Sequence, residues 1–347
     1  MSTREAPFRR LGIRALFLIW GARHGSHRSD LMARLLGMDL KHVYITARQG
    51  RYYALFKYPY QLISTLALLA RKRYQLVFIQ DPPIFAALPA YLYGLFSSTR
   101  FVIDAHTPPL LSPIWAWTLP LHRFLSRRAI TTIVTNNYLQ RLVASWGAHA
   151  FVLQDPPIEP RISKPMCLED DALNVVMVSS ASPDEPVREV LKAARDLPEM
   201  HFYITGDHAR SHQHIIDSAP SNVHFTGYLR EDFFPLLDAA DVIVDLCVED
   251  YQFLSGANEA LWMGKPLITS KGPVLEGYFN RGTIHVDNTA SEIRQGLLEM
   301  QDRLAEFEAD MRSLQDIRRR EWWACANRLV ALVQREMNLA PLGAQPD

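Results

Sequence analysis

Short runs of branched apolar residues recur along the chain with helical patterns between them. In the first half they fall at 15–20, 43–46, 76–80, 101–104, 131–135 and 151–153, and in the second at 174–179, 201–205, 223–226, 242–246, 266–269 and 283–286. A strand with one wet face alternates apolar and polar residues, whereas a strand covered on both faces is apolar throughout. Continuous runs separated by helices therefore predict parallel sheets with helices on both sides, and two such series predict two doubly wound α/β domains.

Between the series lies Gln154-Asp-Pro-Pro-Ile-Glu-Pro160, followed by a stretch of little periodicity. Proline fixes φ and removes a backbone donor, so this segment suits a semi-rigid connector. The expected organisation is a first Rossmann-like domain over 1–156, a linker over 157–172, a second Rossmann-like domain over 173–312, and a C-terminal helix and tail over 313–347. Residues 291–337 read as helical, with Leu304, Phe307, Met311, Leu314, Trp323, Leu329 and Leu332 on an apolar face that packs back on the first domain.

Composition removes several classes. With 347 residues, 48% hydrophobic and 21% charged, the chain is neither disordered, collagenous nor a coiled coil. Three scattered cysteines, Cys167, Cys247 and Cys325, build neither a disulfide framework nor a CxxC metal site, which fits a reducing, cytoplasmic compartment. The apolar run after the basic N-terminus is too short for a secretory signal and reads as a buried first strand. The runs at 58–70 and 84–96 fall short of a membrane span.

The formal net charge of zero hides a division. Residues 1–160 hold 19 Lys and Arg against 7 Asp and Glu, a balance of +12, and the remainder carries −12. Arg48, Arg51, Lys57, Arg71, Lys72 and Arg73 bracket Tyr52, Tyr53, Phe56, Tyr58 and Tyr60, while Trp115 and Trp117 precede Arg123, Arg127 and Arg128. Cations with interfacial aromatics suit an anionic membrane surface, with the protein peripheral on its inner face. The same mixture can serve single-stranded nucleic acid, but the neutral total argues against that partner; ordinary core tyrosines with snorkelling arginines are the plain reading.

Ligands of open α/β sheets sit beyond the carboxyl ends of strands. After the first strand, Gly21 to Ser29 offers Arg23, His24 and Arg28 for an anionic acceptor group. After the fourth, Asp104 stands two residues before His106 and is placed to orient that imidazole for proton transfer. The richest segment runs from Glu249 to Ser270, a strand end, a small-residue turn, a helix start and Gly-Lys-Pro. Amides of Ser255, Gly256 and Ala257, followed by Asn258, suit a diphosphate, and Glu259 suits a ribose diol. His208, His212 and His214 include a pair at helix spacing, but with no cysteine nearby they read as a surface helix; no metal or other cofactor is expected.

The segment around Glu259 resembles the donor site of retaining GT-B glycosyltransferases of family four, where a Gly-rich turn precedes a Glu and a GKP-like turn. Val223-His-Phe-Thr-Gly-Tyr-Leu229 is similar to the family's base-binding loop, Ala239-Ala-Asp-Val-Ile-Val244 to the strand before the donor turn, and Gln80-Asp-Pro-Pro83 with Asp104-Ala-His106 to the acceptor-domain loops. Ser180-Ala-Ser-Pro-Asp-Glu-Pro186 looks like the branch of the diphosphodolichol-chitobiose mannosyltransferases. Tyr251 stands where the family has a second Glu, and Ser180 and Glu185 stand where it has the Arg and Lys that hold donor phosphates. The phosphate charge is then left to amides, to hydroxyls such as Ser179, or to Arg23, Arg28 and Lys271.

The resemblance implies two Rossmann-like domains facing across a cleft and a metal-independent retaining hexosyltransferase. The donor is a nucleotide-diphosphate sugar, GDP-mannose or a UDP-hexose, and the acceptor a glycan or a polyprenyl-diphosphate-linked sugar. The backbone of Tyr228 and Leu229 would meet the base, and His106 would position acceptor or sugar. A nucleotide-sugar epimerase and a non-catalytic partner subunit of the same fold are the alternatives.

Overall fold

The computed structural model describes residues 6–21, 27–45, 51–160, 162, 164–169, 171–211 and 213–339, without the side chains of 27, 51, 52, 54, 210, 211 and 214. The chain divides into two compact units, residues 1–156 with 321–347, and residues 157–320. By this division residues 157–172 fall with the second unit, and the C-terminal residues 321–347 with the first.

The first unit holds β1 (Ala15–Ile19), β2 (Asp39–His42), β3 (Leu76–Asp81), β4 (Arg100–Ala105), β5 (Thr132–Val134) and β6 (Ala150–Val152). They pair parallel in the order β2-β1-β3-β4-β5-β6. The second holds β7 (Asn174–Met177), β8 (His201–Thr205), β9 (Val223–Gly227), β10 (Val242–Asp245), β11 (Leu267–Ser270) and β12 (Thr283–Val286), again parallel, in the order β12-β11-β10-β7-β8-β9. Each sheet reverses its winding once, between β1 and β3 and between β7 and β10, and those reversal points open a crevice at the carboxyl edge.

The run expected at 43–46 is not the second strand, which is β2 at 39–42. That strand lies at the sheet edge with alternating exposed and half-buried residues, so it carries no apolar run. The central strands β1, β7 and β10 are buried at every position.

A 33-residue helix, Leu304–Glu336, closes the chain. Phe307, Met311 and Leu314 are buried in the second unit, and Trp322, Ala326, Leu329 and Val333 in the first. The latter four follow one helical stripe and pack with Phe17, Phe78 and Ile133 of the first sheet. Trp322, not Trp323, is the buried tryptophan of the pair, and its Nε1 donates to the Gln154 carbonyl at 3.1 Å.

Candidate functional site

At the β7/β10 reversal the Ser255–Met263 helix begins. Asp245, the last residue of β10, is 8% exposed and accepts the Ala257 amide at 2.7 Å, with the Gly256 amide also bonded to it. Gly256 is required by this approach, because a Cβ there would lie 2.6 Å from the Asp245 Oδ2 and 2.6 Å from the Val178 Cβ. Two of the three amides expected to receive a diphosphate therefore already face a carboxylate of the chain. Burial pushes the Asp245 carboxyl up to about 7; the Ala257 and Gly256 amides oppose that rise, while the neighbouring Glu185 and Asp184 charges add to it.

The turn after β7 is closed in the same manner. Glu185 accepts the Ser180 amide at 2.9 Å, the Ser182 amide at 3.2 Å and the Ser179 hydroxyl at 2.5 Å. Ser179 also lies 2.9 Å from the His208 Nε2, and Gly206 at φ +97° brings the β8 turn against the Ser179 carbonyl, where a Cβ would approach to 2.6 Å. Asp184 accepts from the Cys247 thiol at 3.2 Å and from Gln252 at 3.4 Å. Burial works against its charge, but those donors and Ser182 outweigh it and hold its pKa below the usual value. Burial also pushes the Cys247 thiol up to about 12.

Of the expected donor residues, Ser255, Tyr228 and Lys271 are exposed and Leu229 partly so, while Gly256, Ala257, Asn258, Glu259 and Ser179 are buried. Asn258 accepts from the Trp262 Nε1 at 3.0 Å, so its side chain braces its own helix and does not face a ligand. Lys271 is paired with Asp287 at 2.6 Å and Glu292 at 3.1 Å, so it is not a spare phosphate cation. His208 is buried and bonded, in contrast to the surface position expected; His212 lies outside the described residues.

In the first unit the expected pairing of Asp104 with His106 is replaced by another. Both Asp104 oxygens accept from Arg28, at 2.8 Å from Nη2 and 3.1 Å from Nε. Arg28 also reaches Asp155 at 2.5 Å and the Leu153 carbonyl at 3.1 Å. Burial opposes the guanidinium charge, but the two carboxylates outweigh it and raise its pKa above the ordinary value. Arg28 therefore ties the His27–Leu36 helix to the ends of β4 and β6, and it is not free for an acceptor anion. Arg23 and His24 lie outside the described residues.

His106 stands at the N-cap of the short Thr107–Leu111 helix, its amide donating to the Asp81 carbonyl at 3.0 Å. Its Nε2 is buried and has no hydrogen-bond partner among the described residues. Asp81 instead binds His122 at 2.6 Å, and the His122 Nδ1 lies 3.0 Å from the Ser126 hydroxyl. All three are at most 1% exposed, so this Ser-His-Asp array offers no nucleophile to solvent and fastens the Leu119–Ser126 helix to β3.

Sequence reasoning did not single out Asp245, Asp184, Asp155, Asp81 or His122. For Asp245 there was a signal, a carboxylate ending an otherwise apolar buried strand, which must find donors nearby. Asp184 and His122 each have one local partner, Ser182 and Ser126, but Cys247 and Gln252 for Asp184, Arg28 for Asp155, and Asp81 and His122 for each other come from distant segments and leave no local pattern.

No protein-family model matches the chain, and no curated protein does. Solved structures do. Sucrose-phosphate synthase from Thermosynechococcus elongatus superposes with a TM-score of 0.74 at 14% identity, over 94% of this chain and 99% of that one. Anabaena HepE in complex with UDP-glucose gives 0.68 at 14% identity, over 93% and 100%. A proposed UDP-N-acetylglucosamine 2-epimerase from Listeria monocytogenes gives 0.67 at 12% identity, over 96% and 99%. With its two six-stranded parallel sheets, the chain has a fold of the GT-B type.

Proposed function

We propose that this chain is a glycosyltransferase moving a hexose from a nucleotide-diphosphate sugar to a glycan or polyprenyl-diphosphate-linked acceptor, with retention and without a metal. The observation that carries the reading is the likeness over nearly the whole chain to HepE with UDP-glucose, together with a helix start at the β7/β10 reversal. Glu259, buried in that helix, is the proposed ribose anchor, Ser255 offers a hydroxyl and an amide to phosphate, and the exposed Tyr228 loop meets the base. His106, with its unpartnered Nε2, is the proposed contact to sugar or acceptor. The protein would act peripherally at the inner face of a membrane.

One observation favours a second reading. Asp245 already engages the 255–257 turn where a donor diphosphate is expected, and Glu185 and Asp184 engage the turn after β7 beside it, which suits a partner subunit that kept the fold and lost turnover. Thermal unfolding against UDP, GDP and their sugars tests the reading, since a ligand at about 100 times its Kd stabilises by about 2.7 kcal/mol. No shift with any nucleotide would refute donor binding.

A further inference from the structure

The Arg51–Lys72 helix of the first unit packs Leu69, Leu62 and Tyr58 on the core together with two buried polar residues, and its outer side is apolar. Its inner face buries Gln61, which donates to the Val43 carbonyl at 2.7 Å, and Thr65, which accepts from the Trp20 Nε1 at 3.0 Å. Its outer face exposes Leu55 by 69%, Phe56 by 79%, Tyr60 by 56% and Ile63 by 65%. Phe56, Tyr60 and Ile63 follow the i, i+4, i+7 spacing of a single helical stripe. No charge interrupts 58–70, while Lys57 stands before it and Arg71, Lys72 and Arg73 after it.

A second exposed apolar element is linked to the helix through a chain of rings. The Tyr58 and Phe85 rings lie tilted with centres 5.1 Å apart, and Phe85 lies 5.6 Å from Trp117 on the Pro113–Thr118 turn. Trp117 is 67% exposed and Ile114 77%. A soluble domain normally exposes scattered apolar residues among charges of both signs. Here, between Asp39 and Asp155, the chain has 12 Lys and Arg and only two carboxylates, Asp81 and Asp104. Both are buried, at 1% and 0%. This stretch of 115 residues presents no negative charge to solvent.

We infer that the outer stripe of the Arg51–Lys72 helix and the Pro113–Thr118 turn form a docking face for an anionic phospholipid bilayer, deepening the peripheral placement proposed above but independent of the donor reading. Leu55, Phe56, Ile63, Ile114 and Trp117 enter the interface between headgroups and acyl chains, and the cations flanking the stripe meet the anionic headgroups. Both parts are needed: apolar side chains alone would suit a protein partner, and cations alone a polyanion. No helix among the described residues is long and apolar enough to cross a membrane, so attachment is interfacial.

Co-sedimentation of the full chain with vesicles tests this. Binding is expected to phosphatidylcholine vesicles containing phosphatidylglycerol, to be weak to phosphatidylcholine alone, and to fall as salt rises. Phe56→Ser and Ile63→Ser should each weaken partitioning by about tenfold, because each removes most of one buried apolar side chain. Both residues are exposed, so an unchanged melting temperature will show that the fold is intact. Absence of binding to the mixed vesicles, equal binding to both kinds, or binding unaffected by the two substitutions overturns the assignment. Tight binding to single-stranded RNA that the same substitutions abolish would reassign the face to nucleic acid. Nucleotide binding measured on the same preparations reports separately on the donor site.

Discussion

The Asp245 carboxylate accepts the Ala257 amide at 2.7 Å, so the first turn of the Ser255–Met263 helix already faces an anion of its own chain. The proposed donor diphosphate would meet Asp245 at that turn and Glu185 and Asp184 at the turn after β7, and no described lysine or arginine is bonded to any of the three. Neutralising one of these carboxyls is the direct way to lower the repulsion, and Asp245 is the one pushed towards neutrality.

Asp245 gives a pH dependence with a definite sign. Its carboxyl rises from 3.8 to about 7 on folding, so between those values the native state keeps a proton that the unfolded chain has lost. The stabilisation is complete below the unfolded value and disappears as pH rises through the folded one. Asp245→Asn still offers a carbonyl to the two amides but cannot ionise. From about pH 5 to about pH 8, wild type should lose roughly 3 kcal/mol relative to the variant in urea unfolding, at about 1.4 kcal/mol per pH unit up to the folded pKa. Parallel pH profiles for the two proteins would remove Asp245 as the titrating group.

Arg28 and Asp104 should behave as a buried pair, not as separate acceptor and catalytic groups. Arg28→Met strands the fully buried Asp104 carboxylate and should cost about 3–5 kcal/mol, whereas Asp104→Leu leaves Arg28 paired with Asp155 and should cost less. The double substitution should recover part of the Arg28→Met loss, the remainder reflecting the part-buried Asp155, which loses its partner. Chemical denaturation of the four proteins measures the coupling; additive losses would show that the ion pair carries no mutual stabilisation.

Thiol chemistry should separate two cysteines. Cys167 is exposed, whereas Cys247 is buried, donates to Asp184 and has its pKa pushed up to about 12. Iodoacetamide at neutral pH should label Cys167 in the native protein and reach Cys247 only on unfolding, because the thiolate is the reacting form. Peptide mapping by mass spectrometry reads this, and rapid native labelling of Cys247 would contradict the burial of the Asp184 network.

Glu259 is the proposed ribose anchor. Glu259→Gln should weaken nucleotide affinity by at least about tenfold, in line with the loss of a charge-assisted hydrogen bond. Calorimetric titration with the best nucleotide of the thermal-shift panel measures it. Unchanged affinity in a folded variant would move the base and ribose elsewhere.

Most of the fold is written in local patterns. The strands β1, β3, β7 and β10 are apolar because both faces are covered, and that alone marks them. Only β2 escapes, because an edge strand with solvated side chains has no such run. At the site, the turn at 255–257 and Glu259 are visible because small residues before a helix have a local meaning. What occupies the turn is not visible, since Asp245 lies ten residues before Ser255 on another element. The Asp104–His106 spacing misleads for the same reason: proximity in sequence gave no sign that Arg28, 76 positions away, takes both oxygens.

Transfer itself is the decisive measurement. The full chain is incubated with the nucleotide sugar that binds best, with and without glycan or polyprenyl-diphosphate-linked acceptors, and nucleotide release and product anomer are read by NMR. Acceptor-dependent release of the nucleoside diphosphate is expected, with a product that keeps the anomeric configuration of the donor. A chain that binds the nucleotide but releases none with any acceptor would contradict the transferase reading and leave the non-catalytic one.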